Sequence, residues 1–281
     1  MLKHTFPINV DNTINSGQVF LWEKHDKTWY GINGNDVLAV SSDAEIFSYS
    51  KKSYDFFRND DDFERILRDI SRDHIVRSAV KRFPGLRLLR QDPFQCYISF
   101  IVSANSSIQN IKNTLQKLCK KFGPTIRFDK NYFYLFPDPK KIATAKKHEL
   151  QSCGLGYRAK AVKKAAEAVV SREIDFDFLK KSDYRVAKES LLKVFGIGDK
   201  VADCILLFSL EKMDSFPLDR WMLRVLQKYY SDKFELNMKT LTEKRYENLH
   251  NEIVKYFGPY AGFSQQFLFK MERELNQKKW L

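Results

Sequence analysis

The N-terminal part of the chain alternates hydrophobic and polar positions in the manner of short β-strands. VFLW (19–22) and TWYGI (28–32) flank a polar HDK turn, and the hairpin signal NGND (33–36) leads into VLAVSS (37–42). The alternation and the aromatic residues predict an antiparallel sheet. A helical pattern begins near DDDFERILRDI (60–70), where acidic residues stand at the predicted helix N-terminus.

From Gln91 onward the pattern is almost entirely helical. Asp92-Pro93 predicts an N-cap and first helical residue for PFQCYISFIV, a helix that SANSS (103–107) interrupts. The remaining signals are a helix with Ile108, Ile111, Leu115 and Leu118 on one face that stops at Gly123-Pro124, and further helices after Gly156, Asp219 and Tyr246. The pattern predicts an α+β protein, with an antiparallel β domain over residues 1–85 and an all-α region over 86–281.

Composition adds a charge argument. The chain has 281 residues, with 48 Lys and Arg against 35 Asp and Glu, a formal net charge of +13. This excess suits a polyanionic partner such as nucleic acid. No apolar run has the length of a membrane span and no secretory hydrophobic segment is visible, so we expect no membrane association. We expect a cytoplasmic, nucleoid-associated location if the source is prokaryotic.

Four cysteines, Cys96, Cys119, Cys153 and Cys204, are too sparse for a disulfide framework and fit a reducing compartment. None of them belongs to a C-x-x-C pair, so we expect no zinc or iron–sulfur site.

The most specific local signal is VFGIGDKVADCILLF (194–208), in which Gly196 and Gly198 separate two predicted helices. Glycines at this spacing predict a helix–hairpin–helix near residues 185–208. Its exposed backbone N–H groups can bind a DNA phosphate without reading sequence. A plain helix C-cap followed by a tight turn remains an alternative for the two glycines alone.

Lys200 stands at the start of the second hairpin helix, where the helix dipole disfavours a cation. Burial would disfavour the charged amine further, which exposes a nucleophilic lone pair. Lys200 and Cys204 share one helix face by their spacing, so that face could line a pocket. Asp219 follows at the start of the next helix. A carboxylate held there by helix N–H groups can stay ionised and stabilise a cationic sugar, although it could also serve only as a cap. For Lys200 the alternative is a solvated lysine that touches phosphate.

At this point the chain resembles the helix-hairpin-helix DNA glycosylases, and within them the 8-oxoguanine DNA glycosylase/AP lyases. The segments that carry the resemblance are SGQVFLW, ISFIVSANSSI, CGLGYRAKAV, FGIGDKVADCI, PLDRWM and GPYAGFSQQFLF, in family order across nearly the whole chain. The resemblance implies a TBP-like N-terminal sheet domain followed by two helical subdomains.

The resemblance also implies residue roles. Lys200 corresponds to the nucleophile that forms a Schiff base with the sugar, and Asp219 to the acid residue that stabilises sugar charge. Cys204 and Phe269 correspond to the residues that sandwich the flipped base, and Gln265 to the one that hydrogen-bonds its Watson–Crick edge. The further correspondences are Gly17, whose carbonyl accepts the N7 proton of 8-oxoguanine; Tyr157 and Arg158, the wedge and the reader of the orphaned cytosine; and Asn105, which fills the gap.

Two positions depart from the family pattern. Asn110 stands where eukaryotic members have a second arginine for the opposite cytosine, and a short amide lacks the guanidinium's fork of donors. We therefore expect weaker discrimination among opposite bases. Trp221 stands where a phosphate-binding histidine is expected, which puts that contact in doubt.

The implied protein is a bifunctional glycosylase that excises 8-oxoguanine from duplex DNA and nicks the abasic site in base excision repair. We expect it to act as a monomer without a redox cofactor, with a structural cation at the hairpin as a family expectation. Two alternatives stay open: a glycosylase for another damaged purine, and a hairpin protein that binds DNA without catalysis. Taken singly, the site residues also have structural interpretations: a strand bulge at Gly17, a helix start at Tyr157-Arg158, an amphipathic helix at Gln265 and Phe269, and a buried small hydrophobe at Cys204.

Overall fold

The computed structural model describes residues 8–41, 55–236 and 241–277. Its N-terminal part contains helix α1 (Val10–Ile14) and a three-stranded sheet of β1 (Trp22–His25), β2 (Thr28–Asn33) and β3 (Asp36–Ser41). The strands are antiparallel in the order β1-β2-β3, with Trp22 opposite Gly31 and Asn33 opposite Asp36 across the predicted turn. The predicted antiparallel sheet is confirmed.

The rest of the described chain is mainly helical, as predicted. The helices are α2 (Phe63–Ile70), α3 (His74–Arg82), α4 (Pro93–Val102), α5 (Ile108–Phe122), α6 (Pro139–Thr144), α7 (Lys147–Leu150), α8 (Ala159–Val170), α9 (Phe176–Lys181), α10 (Tyr184–Leu192), α11 (Asp199–Ser209), α12 (Arg220–Tyr229), α13 (Glu243–Phe257) and α14 (Ala261–Gln277). A π-helical turn (Gln151–Leu155) and a 3₁₀ turn (Gly156–Arg158) join α7 to α8. The predicted α+β class is confirmed. The domain boundary at residue 85 stays a prediction.

One β-hairpin lies inside the region that the pattern made helical. Strands β4 (Thr125–Phe128) and β5 (Asn131–Tyr134) pair antiparallel around a turn in which Asp129 has φ of 50°. The hairpin joins the N-terminal sheet through Phe133, whose ring stacks on Tyr30 at 5.7 Å between centroids. Its alternating β-branched and aromatic residues carried a strand signal that the neighbouring helical patterns masked.

Buried side chains from the helices form a large hydrophobic cluster, and a second cluster lies around the sheet, including Trp22, Trp29, Leu38 and Phe57. Gln95 of α4 connects the two parts, because its amide donates to the Ile32 carbonyl at 2.8 Å and accepts from the Gly34 N–H at 2.8 Å. No helix within the described ranges has the length and apolar character needed to cross a membrane.

Helix α14 returns the C-terminal part of the chain to the N-terminal part. Phe263 packs near Phe63 of α2 at 6.3 Å between ring centroids. The Gln266 side chain donates to the Ser16 carbonyl at 3.0 Å. This contact places α14 beside the loop that follows α1, and so brings together candidate site residues from opposite ends of the sequence.

Candidate active site

The predicted hairpin is formed by α10, a short loop and α11. Gly196 has φ of +89°, a conformation that other L-residues rarely adopt, and a Cβ there would lie 2.5 Å from the Cβ of Ala161. Gly198 is different. It is the N-cap of α11 in an extended conformation, and a Cβ added to it would meet no atom within 4 Å. The first glycine is thus needed for the turn, whereas the second leaves open space at the helix N-terminus.

Lys200 is half-buried in the first turn of α11, and its Nζ lies 5.4 Å from the ring centroid of Phe100 on α4. The remainder of the helix from Val201 to Ser209 is buried on all sides. The use of the Lys200–Cys204 face as a pocket wall stays a prediction. Cys204 lies one helical turn further along, and the charge of Lys200 acts on its thiol.

Cys204 is only 3% exposed. Burial raises the pKa of its thiol to about 12, against the opposing effect of the Lys200 charge. The side chain is therefore a neutral thiol near neutral pH. A neutral thiol is a soft, polarisable wall for a pocket, and it provides no counter-charge for the Lys200 ammonium.

Asp219 is the N-cap of α12, and its Oδ1 accepts from the Met222 N–H at 2.8 Å. Burial raises the pKa of its carboxyl. The N–H groups of Met222 and Trp221 and the charges of Lys200 and Arg273 act in the opposite direction, but the net shift is upward. These donors and cations therefore offset the burial only in part. The Asp219 carboxylate thus both caps α12 and interacts electrostatically with Lys200.

Gly17 lies in the loop after α1 with φ of +89°. Its position is fixed on both sides, since Gln266 donates to the Ser16 carbonyl at 3.0 Å and Gln91 donates to the Gln18 carbonyl at 2.8 Å. Among the described residues, none donates a hydrogen bond to the Gly17 carbonyl itself. The loop therefore holds the Gly17 carbonyl in a defined position, and no described residue donates a hydrogen bond to it.

Gln265 and Phe269 lie one turn apart on α14, next to this loop. A Cβ at Gly17 would lie 3.0 Å from Cε1 of Phe269, so the ring packs directly on the glycine. Gln265 is 4% exposed, and its buried Oε1 has no hydrogen-bond partner within the described part of the chain. An unpartnered buried acceptor is costly, so it points to a ligand that pairs with it.

The predicted DNA-contacting residues form a neighbouring surface. Asn105 is exposed and has φ of 50°, a left-handed conformation that asparagine tolerates better than most residues. Tyr157 is 72% exposed in the 3₁₀ turn. Arg158 is 8% exposed, and its Nη1 donates to the Ala104 carbonyl at 2.9 Å, beside Asn105. Its Cζ lies 5.3 Å from the ring centroid of Tyr157, and its role as reader of the opposite cytosine stays a prediction.

The surface continues from Tyr157 to the hairpin. Lys160 lies over the exposed ring of Phe195 at 4.4 Å, and Gly196 packs on Ala161.

Of the two departures from the family pattern, Asn110 is exposed and donates to the Ser106 hydroxyl at 2.8 Å. Trp221 lies near Arg224, whose Cζ is 5.3 Å from the indole centroid.

Sequence reasoning missed a buried acid within the apolar run of α11. Asp203 is 0% exposed and accepts from Tyr184 Oη at 2.7 Å and from Tyr246 Oη at 2.6 Å. Lys188 Nζ lies 3.4 Å from its carboxylate. Burial and the Asp203 charge raise the pKa of both tyrosines, so both remain hydroxyl donors. These four residues are called the Asp203 cluster below.

The Asp203 cluster also reaches the candidate acid residue. Tyr246 Oη accepts from the N–H of Leu218, the residue before Asp219, at 3.0 Å. The helix that carries Lys200 is thereby connected to the N-cap of α12. A charged residue inside an apolar helical run was the available signal, because a buried acid requires partners.

A cavity of about 530 Å³ lies elsewhere, between the N-terminal sheet, α5 and the β4–β5 hairpin, with Tyr30 and Phe133 in its wall. None of the predicted site residues lines it. Volume alone therefore does not mark the site. Over residues 8–41, 55–236 and 241–277, no group of three or more His, Cys, Asp or Glu is placed to hold a metal ion.

Comparison with known proteins agrees with this geometry. Residues 98–251 match the family described as HhH-GPD superfamily base excision DNA repair protein. Residues 2–97 match the 8-oxoguanine DNA glycosylase N-terminal domain.

Individual relatives extend the likeness. A probable N-glycosylase/DNA lyase of Methanothermobacter thermautotrophicus is 29% identical over 76% of this chain and 70% of its own length. The N-glycosylase/DNA lyase OGG1 of Arabidopsis thaliana is 28% identical over 96% of this chain and 79% of its own. The crystal structure of Clostridium acetobutylicum 8-oxoguanine glycosylase/lyase, in complex with double-stranded DNA containing cytosine opposite 8-oxoG, superposes with a TM-score of 0.86. It is 28% identical and covers 96% of this chain and 93% of that one.

The fold, the hairpin and these relatives confirm the predicted class of enzyme, a DNA glycosylase with AP lyase activity that binds duplex DNA. The roles of the single residues rest on the geometry above and stay predictions. The chain belongs to the HhH-GPD superfamily of base excision DNA repair proteins, and it carries the 8-oxoguanine DNA glycosylase type of N-terminal domain.

Proposed function

We propose that the chain excises 8-oxoguanine from duplex DNA and then cleaves the strand at the abasic site through a Schiff base on Lys200. The observation that carries the proposal is the position of the Lys200 amine. It lies at the N-terminus of the second hairpin helix, against Cys204 and within the electrostatic reach of Asp219. We therefore assign the nucleophile to Lys200, the charge-stabilising carboxylate to Asp219 and phosphate binding to the hairpin turn.

The excision step follows from these groups. The uncharged Nζ of Lys200 attacks C1′, the C1′–N9 bond breaks, and its electron pair leaves with the base, which takes up a proton. Positive charge develops on the sugar as the bond breaks, and the Asp219 carboxylate stabilises that charge. Loss of the amine proton and opening of the sugar ring then give an imine between C1′ and Nζ.

Strand cleavage uses the same imine. Removal of a proton from C2′ and departure of the 3′ phosphate oxygen from C3′ complete a β-elimination, and hydrolysis of the imine regenerates the amine. No electrons are transferred to or from the protein, so the proposed reaction needs no redox cofactor. A cation between hairpin carbonyls and a phosphate stays a prediction.

Base selection is assigned to the pocket formed by Gly17, Cys204, Gln265 and Phe269. The fixed Gly17 carbonyl suits the N7–H that 8-oxoguanine has, whereas guanine would present a lone pair to the same oxygen. The unpartnered Oε1 of Gln265 suits a donor on the Watson–Crick edge. We assign the exposed Asn105 to filling the gap, and the exposed Tyr157 to wedging the stack, when the base leaves the duplex.

All residues in this scheme come from one chain, and the proposal treats the protein as a monomer. Because Asn110 is a short amide, we also expect excision to depend weakly on the opposite base. Rates opposite each of the four bases would measure this, and a strong preference for cytosine would contradict it.

Borohydride trapping on duplexes that contain 8-oxoguanine tests the proposal. The native chain should form a covalent complex with this duplex and none with a duplex that contains only normal bases. Lys200→Gln should abolish trapping while duplex binding is retained. Lys164→Gln, which removes an exposed lysine paired with Glu167, is the matched control and should trap like the native chain. No trapped species with the native chain, or undiminished trapping in Lys200→Gln, would overturn the assignment.

A further inference from the structure

Arg273 lies beside the candidate pocket, and the sequence signals did not identify it. On α14 it stands one turn after Phe269 and two turns after Gln265, so the three side chains share one helix face. Its Cζ lies 5.5 Å from the ring centroid of Phe269, within the range of a cation–π contact. The helix face that carries the proposed base contacts therefore extends to a guanidinium.

The end of the Arg273 side chain is closely packed and incompletely bonded. A Cβ at Gly17 would lie 2.7 Å from Nη1 of Arg273, so this nitrogen contacts the glycine backbone directly. Nη1 is buried and has no hydrogen-bond partner among the described residues. Leaving a buried charged donor unpaired is expensive, which points to an acceptor that arrives with a ligand.

The side chains one turn before and one turn after Phe269 thus each carry an unpartnered buried atom, the acceptor Oε1 of Gln265 and the donor Nη1 of Arg273. A purine stacked on this ring presents donors on its Watson–Crick edge and, if oxidised at C8, a carbonyl oxygen next to N7–H. The pocket offers complementary atoms for these groups: an acceptor on Gln265, a donor on Arg273 and the Gly17 carbonyl for N7–H.

We propose that Arg273 donates a hydrogen bond from Nη1 to O8 of the extruded 8-oxoguanine, and so acts as a second specificity residue beside Gly17. This inference rests on the proposed function. The alternative acceptor next to N7 is O6, which guanine shares, whereas guanine carries only a C–H at position 8. A contact to O8 therefore discriminates against guanine, and a contact to O6 does not.

We favour O8 over O6 because Arg273 packs on Gly17, whose carbonyl is assigned to the neighbouring N7–H, and because it interacts electrostatically with Asp219. The charges of Arg273 and Asp219 act on each other, and Asp219 is assigned to the sugar. O8 is bonded to C8, which neighbours N9 at the glycosidic bond, whereas O6 lies on the far side of the base. A cation at O8 would also stabilise the electron pair that leaves with the base, because the purine ring delocalises that charge onto O8.

Lys270 provides a matched control on the same helix. With Asn15, Arg273 and Glu274 it borders a polar cavity of about 210 Å³, and its Nζ lies over Phe83 at 5.6 Å. Lys270→Met and Arg273→Met each remove one positive charge at this cavity, but only the second removes the donor that contacts Gly17.

The first test separates base contact from every other role. Single-turnover excision of 8-oxoguanine and cleavage of a preformed abasic site are measured for the native chain, Arg273→Met and Lys270→Met. Arg273→Met should lower excision by roughly 10- to 100-fold, the range for a charge-assisted hydrogen bond, and leave abasic-site cleavage unchanged because that substrate has no base. Lys270→Met should change neither rate. An equal fall in both reactions of Arg273→Met would mean that Arg273 acts through Asp219 or the fold, and an unchanged excision rate would show that it makes no contact; either result overturns the proposal.

The second test identifies the oxygen. Affinities for matched duplexes that contain 8-oxoguanine or guanine are compared in the Lys200→Gln background with and without Arg273→Met. The preference for 8-oxoguanine should shrink by a similar factor when Arg273 is replaced, and an unchanged preference would exclude O8. If the native chain cleaves abasic sites but not 8-oxoguanine, the proposed function itself fails, and this outcome is distinct from both results above.

Discussion

This protein contains two sets of buried polar groups whose hydrogen-bonding capacity is satisfied to different degrees. In the Asp203 cluster, both carboxylate oxygens accept hydrogen bonds from tyrosine hydroxyls, at 2.7 and 2.6 Å, and Lys188 balances the charge. In the candidate pocket, Oε1 of Gln265 and Nη1 of Arg273 are buried with no partner among the described residues.

The difference teaches which groups belong to the scaffold and which await a ligand. A saturated buried network stabilises the fold and fixes the position of the helix that carries Lys200. Unpartnered buried groups cost stability in the free protein, and a cost of this kind persists where function requires it. Substitutions in the first set should therefore affect stability, and those in the second set should affect base excision.

The largest effect is expected for Asp203→Ala. It leaves the hydroxyls of Tyr184 and Tyr246 and the Lys188 ammonium without their acceptor, so the free energy of unfolding should fall by about 3–5 kcal/mol. Urea denaturation followed by circular dichroism measures this loss. Asp199→Ala is the control, because Asp199 pairs with the same Lys188 at 3.1 Å but lies nearer the surface.

A loss in Asp203→Ala no larger than that in Asp199→Ala would show that the cluster does not stabilise the fold. If Asp203→Ala does not fold, Tyr246→Phe gives the same information on a smaller scale. It removes a single hydroxyl and should cost about 1–2 kcal/mol.

The sequence was sufficient to predict those features that depend on residues close together in the chain. Asp92 and Asp219 are N-caps as predicted, and the hairpin glycines lie between two helices as predicted. Asp203 and Arg273 were missed because their partners, Tyr246 and Gly17 among them, are distant in sequence. Only the folded chain brings these residues together.

The pocket illustrates the same limit. Gly17 comes from the N-terminal loop and Phe269 from the last helix, and no periodicity connects them. Family resemblance proposed the grouping, and the structure places the two in contact. It did not indicate the hydrogen bond from Arg158 to the Ala104 carbonyl, because only the folded chain brings these two residues together.

The next effect concerns two adjacent glutamines on α14. Gln265 and Gln266 are 4% and 3% exposed, but only Gln266 uses its side chain to hold the Ser16 carbonyl, at 3.0 Å. Gln265→Met should lower excision of 8-oxoguanine by roughly 10- to 100-fold, with abasic-site cleavage and the free energy of unfolding unchanged or slightly raised. Gln266→Met should instead lower the free energy of unfolding by about 1 kcal/mol. Denaturation curves and single-turnover rates of both variants measure these two effects. A destabilised Gln265→Met would mean that the Gln265 side chain has a hydrogen-bond partner in the free protein.

The last comparison separates the two glycines of the hairpin, and the change in stability expected for Gly198→Ala is the smallest of all. Gly196→Ala places a side chain on a backbone with φ of +89° and a Cβ 2.5 Å from that of Ala161, so the free energy of unfolding should fall by about 1–3 kcal/mol. In Gly198→Ala the added Cβ meets no atom within 4 Å and the backbone is extended, so stability should stay within about 0.5 kcal/mol of the native value.

The methyl group of Gly198→Ala would nevertheless occupy the space through which a phosphate approaches the N-terminus of α11, so duplex affinity should fall. Because phosphate contacts depend on salt, affinities must be compared at one ionic strength. A Gly198→Ala chain that binds duplex DNA like the native one would show that the phosphate does not approach α11 at this position, and the role of the hairpin would then reduce to holding Lys200.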